Sequence, residues 1–229
     1  MIRLDALLSR FGYCTRSEAR AWIKAARVLI NGAPARSPSE KARPHSVLID
    51  GQPVEFPDGI LIVMHKPAGC VCSRDPAESP SIYDLLPARW LRRNPPVTTV
   101  GRLDKDTTGV LLITDDGEIV HRLTSPKHKI SKLYEAILDT DIPAHAAELF
   151  ASGTLLLDGE EKPCLPAKLE IISPREARLE LTEGRYHQVK RMFASVGCNV
   201  TRLHRSRFGD HALDGLTPGE WRVGPHIFP

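Results

Sequence analysis

The sequence predicts an α+β protein in two units: a larger domain on a mixed, mainly antiparallel sheet, preceded by a small α/β module. Three observations predict it. After residue 60, apolar runs of strand length outnumber helical stretches and do not alternate with them, which argues against a parallel, doubly wound sheet. The first 56 residues carry a separate pattern of two short helices followed by hairpin strands. Between the two, Pro57-Asp58-Gly59 breaks the apolar pattern, so the chain divides into residues 1–56, a linker at 57–59, and residues 60–229.

In the first unit, Arg16, Arg20, Lys24 and Arg27 are spaced so that one continuous helix would carry them as a narrow stripe, with Ala19, Trp22, Ile23 and Ala26 on the adjoining face. Such a row is either a solvated face or a track for a phosphate backbone, where bound cations release counterions. Two short strands follow, each closed by a tight-turn dipeptide: Val28-Leu29-Ile30 before Asn31-Gly32, and Val47-Leu48-Ile49 before Asp50-Gly51. Net charge is only +3, but residues 1–30 hold six Lys/Arg against two Asp/Glu, so the positive charge sits at this end.

In the second unit, strands are expected at 60–65, 97–100, 110–114, 133–138, 169–172, 177–181 and 200–203. Helices are expected at 118–123, 144–152 and 187–196, the last stopped by Gly197. No apolar run approaches the roughly 18 to 20 residues that span a bilayer, and the first residues lack the order of a secretion signal, so a soluble, cytoplasmic protein is expected. The five cysteines are scattered and odd in number, which fits free thiols. The nine histidines show no zinc-site spacing, and neither a G-x-G-x-x-G nor a Walker loop occurs, so no metal or nucleotide cofactor is indicated.

The densest polar cluster is Gly101-Arg102-Leu103-Asp104-Lys105-Asp106-Thr107-Thr108-Gly109, between two apolar runs. On its residues alone it reads as a turn. A calcium loop begins well with Asp104, Asp106, Thr108 and Gly109, but Leu112 and Asp115 stand where the remaining ligands belong, and no amphipathic helix precedes it.

Residues 3–32, through Arg-Leu-Asp-x-Leu-Leu, Thr-Arg-Ser-Glu-Ala and Arg-Val-x-Ile-Asn-Gly, resemble the S4 RNA-binding domain. They depart from it at Ala26, where that family usually has Gly, and a slightly altered turn is expected there. His65-Lys66-Pro67-Ala68-Gly69, the 101–109 cluster, Ser131-Lys132-Leu133-Tyr134 and the 183–193 segment Glu-Gly-Arg-Tyr-His-Gln-Val-Lys-Arg-Met-Phe resemble, in order, the pseudouridine synthases of the RsuA type. The resemblance implies a pseudouridine synthase fold and a cofactor-free isomerisation of uridine in ribosomal RNA. It implies Asp104 as the carboxylate acting at the sugar, either as nucleophile at C1′ or as base at C2′. It further implies Lys190 as the cation paired with Asp104, Tyr134 as the ring against the uracil, Arg102 as support for the flipped nucleotide and Leu203 as pocket lining.

Lys66, Arg185, Arg191, Arg202, Arg205 and Arg207 are candidates for phosphate contacts. The Tyr186-His187-Gln188 segment is closest to the small-subunit branch and points to uridine 516 of 16S rRNA in a small-subunit assembly particle. The 23S branch, where Asn-Arg-Glu or Asn-Arg-Gln tends to stand, is the alternative, and a non-catalytic ribosome-assembly factor is the second. A monomer is expected, because two RNA-binding units already lie within one chain.

Overall fold

The computed structural model describes residues 1–224. The chain opens with β1 (Ile2–Arg3), α1 (Leu4–Arg10) and α2 (Ala19–Lys24), followed by β2 (Val28–Ile30), β3 (Ala33–Pro34), β4 (Lys41–Ala42), β5 (Val47–Ile49) and β6 (Gln52–Pro53). An antiparallel sheet of order β3-β2-β5-β6 carries the hairpins, and β1 pairs with β4. Asn31-Gly32 and Asp50-Gly51 all have positive φ, the backbone that a two-residue hairpin of this twist requires. Leu4, Leu7, Leu8 and Phe11 of the first helical segment bury against Ile23, Val28, Val47 and Ile49.

The cationic helix is shorter than its spacing suggests. It spans Ala19–Lys24 only, so Arg16 lies in the turn before it and Arg27 beyond it. The chain is turned out of the helix at Ala26, whose φ of +54° supplies the left-handed residue that usually falls to glycine. Arg27 then stacks on Trp22, 3.6 Å from the ring centroid, and forks onto Asp50 at 2.9 and 2.6 Å.

The larger unit comprises β7 (Leu61–Lys66), α3 (Ala88–Leu91), β8 (Thr98–Thr99), β9 (Thr108–Thr114), α4 (Gly117–Thr124), β10 (Lys132–Leu138), α5 (Ala146–Ala151), β11 (Lys168–Ser173), β12 (Glu176–Leu181), α6 (Gln188–Ala194), β13 (Val200–Phe208), β14 (His211–Ala212) and β15 (Trp221–Val223). One sheet runs β11-β12-β10-β13-β9-β7-β15, with β14 added to β13 and β8 to β9. Every pairing is antiparallel except β13 with β9, where His204 and Arg205 lie beside Thr108 and Gly109. The unbroken apolar runs of β7 and β9 are buried on both faces: Ile62, Met64, Leu111 and Ile113 meet Phe150, Met192 and Phe193 on one side, while Leu61, Val63, Val110 and Leu112 meet Ile119 and Leu123 on the other. α4 starts where Asp116 accepts from the Glu118 and Ile119 amides. Strand β13 runs five residues beyond the apolar stretch that announced it, because Arg205 is buried within it. No helix among the described residues is long and apolar enough to cross a membrane.

The α3 segment joins the two units. Asn94 donates its amide to the Arg10 carbonyl at 2.8 Å, and Arg93 and Arg89 lie over the rings of Phe11 and Tyr13. Arg93, almost wholly buried, pairs with Asp115 at 2.7 Å and donates to the carbonyls of Glu55 and Phe56.

Candidate active site

A cleft of ≈ 470 Å³ lies beside the parallel pair β13 and β9. Its walls include the 101–107 loop leading into β9, Lys132 and Tyr134 on β10, Leu203 and Arg205 on β13, the 183–189 turn entering α6, and Val71, Cys72 and Ser73. Asp104 stands in this cleft with about a quarter of its side chain exposed. Lys190 Nζ is 3.2 Å from its Oδ2 and His187 Nε2 is 3.3 Å from its Oδ1. Lys190 binds Asp106 more closely still, at 2.7 and 2.9 Å to its two oxygens, so the ammonium bridges two carboxylates. Burial opposes the charge on Lys190, but the carboxylates of Asp106 and Asp104 outweigh it and hold the lysine above its ordinary range. The same contact holds Asp106 below the usual carboxylate range.

The loop carrying Asp104 is fixed from beneath by Lys66. That side chain is fully buried, and its Nζ donates to the carbonyls of Pro67, Lys105 and Thr107 at 3.0, 3.2 and 2.9 Å. An ammonium has three protons, so none remains for a phosphate; the expected RNA contact is corrected to an internal brace. Gly109, where the loop joins β9, has φ +113°, and a Cβ there would lie 2.2 Å from the Arg205 carbonyl oxygen. Only glycine permits the close approach of β9 to β13 that brings Leu203 and Arg205 to the cleft.

Arg185 and Arg191, also expected at phosphates, point inward. Arg185 donates to Glu183, Glu160 and the carbonyls of Lys162 and Pro163; Arg191 donates to Glu160 and the carbonyls of Tyr186 and Asp158. Both fasten the 158–163 segment to the turn before α6. Arg205 is corrected likewise: it is 2% exposed, donates to the Val110 carbonyl at 2.8 Å and to the Tyr134 hydroxyl at 3.4 Å, and leaves Nη2 without a partner. Arg207 pairs with Glu180 at 3.0 Å on the surface, and Arg202 is exposed. Arg102 is exposed at the cleft mouth with no hydrogen bond or ion pair among the described residues. Tyr134 and Leu203 are buried side chains that line the cleft. In the first unit, Arg20 and Lys24 line a basic hollow with Arg3 and Arg36, while Arg16 lies 3.7 Å from Asp5.

Three residues at or beside the cleft escaped sequence reasoning. Asp106 and His187 had a usable signal, since Asp106 sits two residues from Asp104 and His187 three before Lys190, one helical turn apart on the same face. Lys132 had none, and Arg205 was read as a phosphate contact; buried cations look like surface ones in a sequence. Lys132 Nζ donates to the Ile130 carbonyl, and burial together with the Arg205 charge pushes it down to about 8.

Compared with known proteins, residues 60–195 match the family model described as RNA pseudouridylate synthase, and residues 2–48 match the S4 domain. The chain belongs to the RNA pseudouridylate synthase family. Among relatives of this synthase, the "Ribosomal small subunit pseudouridine synthase A" of Escherichia coli strain K12 is 41% identical over 226 residues, covering 96% of this chain and 95% of its own. The protein of the same name from Vibrio parahaemolyticus is 43% identical over 225 residues, with the same coverage. A solved pseudouridylate synthase superposes on the synthase with a TM-score of 0.68 at 38% identity, covering 98% of this chain and 96% of that one. The small-subunit branch of the family and the pseudouridine synthase fold with an S4 domain are thus shown.

Proposed function

We propose that this synthase converts one uridine of small-subunit ribosomal RNA to pseudouridine, at uridine 516 of 16S rRNA, with Asp104 as its catalytic residue. The observation that carries the reading is the Asp104 carboxylate held between Lys190 and His187 inside a cleft that the aromatic Tyr134 and the apolar Leu203 also line. The reaction breaks the C1′–N1 bond, turns the uracil, forms C1′–C5, moves the C5 proton away and returns one to N1. No outside atom enters the product. Asp104 acts at the ribose, as nucleophile at C1′ or as base at C2′, and Lys190, 3.2 Å away, pairs with it and aims it. Tyr134 and Leu203 hold the extruded base, which must leave its stack to reach the carboxylate, and Arg102 supports the displaced nucleotide from the mouth.

In this reading residues 1–56 are the RNA-docking unit, 57–59 the connector and 60–229 the catalytic unit. Arg20 and Lys24, exposed beside Arg3 and Arg36, follow the phosphate backbone, with Arg16 flanking them. Arg27 contributes less, because Asp50 already neutralises it. The enzyme works as a cytoplasmic monomer on 16S rRNA within an assembling small-subunit particle.

Chemical mapping of pseudouridine in rRNA from cells with and without the gene tests the proposal. The expected map loses one small-subunit position. Loss of a 23S position instead moves the enzyme to the large-subunit branch, and an unchanged map leaves only a non-catalytic role.

A further inference from the structure

Tyr186 is 69% exposed, the most of any Phe, Tyr or Trp among the described residues, although it lies on the lip of the cleft. Its ring stacks on His187 with centroids 3.8 Å apart and planes 20° from parallel. His187 in turn touches Asp104, so the ring pair reaches from the catalytic carboxylate out to water. The backbone is arranged to present it. His187 sits at φ +47°, ψ +34°, a left-handed conformation that side-chain-bearing residues seldom adopt, and the Tyr186 carbonyl is anchored by Arg191 Nη1 at 3.1 Å. One face of the tyrosine ring is covered by the histidine. The other has no ring contact among the described residues.

A flat aromatic surface at the mouth of a nucleotide cleft fits a nucleobase, whose faces are apolar and whose preferred contact is a parallel stack. Extruding a uridine also uncovers one face of the base next to it in the strand. Arg102 and Lys105, both exposed on the same rim, lie where the intervening phosphate would pass. We infer that Tyr186, backed by His187, is the platform on which the unpaired base adjoining the target uridine stacks. The inference rests on the reading of the cleft given above.

The test uses assembling small-subunit particles isolated from cells lacking the gene as substrate, with pseudouridine formation followed for the wild-type protein and for Tyr186→Ala, Tyr186→Leu and Tyr186→Phe. Stacking predicts that Tyr186→Ala lowers kcat/KM by about 5- to 150-fold, mainly through KM. It also predicts that Tyr186→Phe recovers most of the loss and that Tyr186→Leu, similar in size without a π face, recovers little. A Tyr186→Ala variant as efficient as wild type overturns the inference. So does a loss confined to kcat, which would place the ring's role in steadying His187 against Asp104, or a Tyr186→Phe variant no better than Tyr186→Ala. A wild type that forms no pseudouridine overturns the underlying reading, and this one with it.

Discussion

Asp104 was singled out by the resemblance its segment carries, since the residues alone read as a turn, and its surroundings were legible only in part. Lys190 lies 3.2 Å from it, but the pairing is shared with Asp106, and a third contact comes from His187. Lys66 shows the opposite case: its charge suggested RNA, and its three bonds to carbonyls show a brace. A sequence gives the charge of a lysine and not its depth. Depth has a measurable consequence at Lys132, which is buried and pushed down to about 8, against an ordinary value of 10.5. Between those values the unfolded chain holds a proton that the folded chain has released, so stability rises with pH there, and the cost of the buried charge is complete below about 8. Urea midpoints of wild type and Lys132→Met should therefore diverge in favour of wild type as pH climbs from 8 towards 10.5; a constant difference would contradict the burial of that charge. At Ala26, φ +54° is held without glycine. Left-handed backbone costs a non-glycine residue about 1–2 kcal/mol, and glycine returns some of that through unfolded-state entropy. Ala26→Gly should raise stability by about 0.5–1 kcal/mol in urea titration.

In the larger unit the long strands and the three expected helices were all legible, the helices at Gly117–Thr124, Ala146–Ala151 and Gln188–Ala194. The continuous runs of β7 and β9 and the alternation along β10 are period-two or fully apolar signals, and the structure places strands at each. The cationic stripe misled in length, because 4, 4 and 3 spacing over residues 16–27 suits a three-turn helix while the positive φ of Ala26 ends it at Lys24. Strands β14 and β15 and helix α3 are too short to leave a periodic trace. The parallel join of β9 to β13 also escaped sequence reading, since pairing between strands some ninety residues apart leaves no local mark. That join depends on Gly109. Gly109→Ala places a methyl group 2.2 Å from the Arg205 carbonyl oxygen, and the strands must part directly behind the Asp104 loop. A loss of at least about 2 kcal/mol is expected, with activity falling further than the stability loss alone accounts for; a variant of wild-type stability and rate would show that the close approach is dispensable.

The two units, the first with its two small sheets and the second with its large one, are held together by a small set of contacts centred on α3, and this docking was invisible in the sequence, where Pro57-Asp58-Gly59 reads only as a linker. Arg93 is the key contact: 2% of its side chain is exposed, it pairs with Asp115, and it donates to Glu55 and Phe56 just ahead of the connector. Removing one partner of a buried pair leaves the other charge uncompensated, so Arg93→Ala should cost about 3–5 kcal/mol and open the 55–59 segment to limited proteolysis. The account as a whole stands on the carboxylate between Lys190 and His187. Replacing it with an amide keeps size and shape while removing the charge and one acceptor oxygen, so Asp104→Asn is expected to bind assembling small-subunit particles as wild type does and to form no pseudouridine in them. An Asp104→Asn protein that still isomerises uridine at the wild-type rate would contradict it.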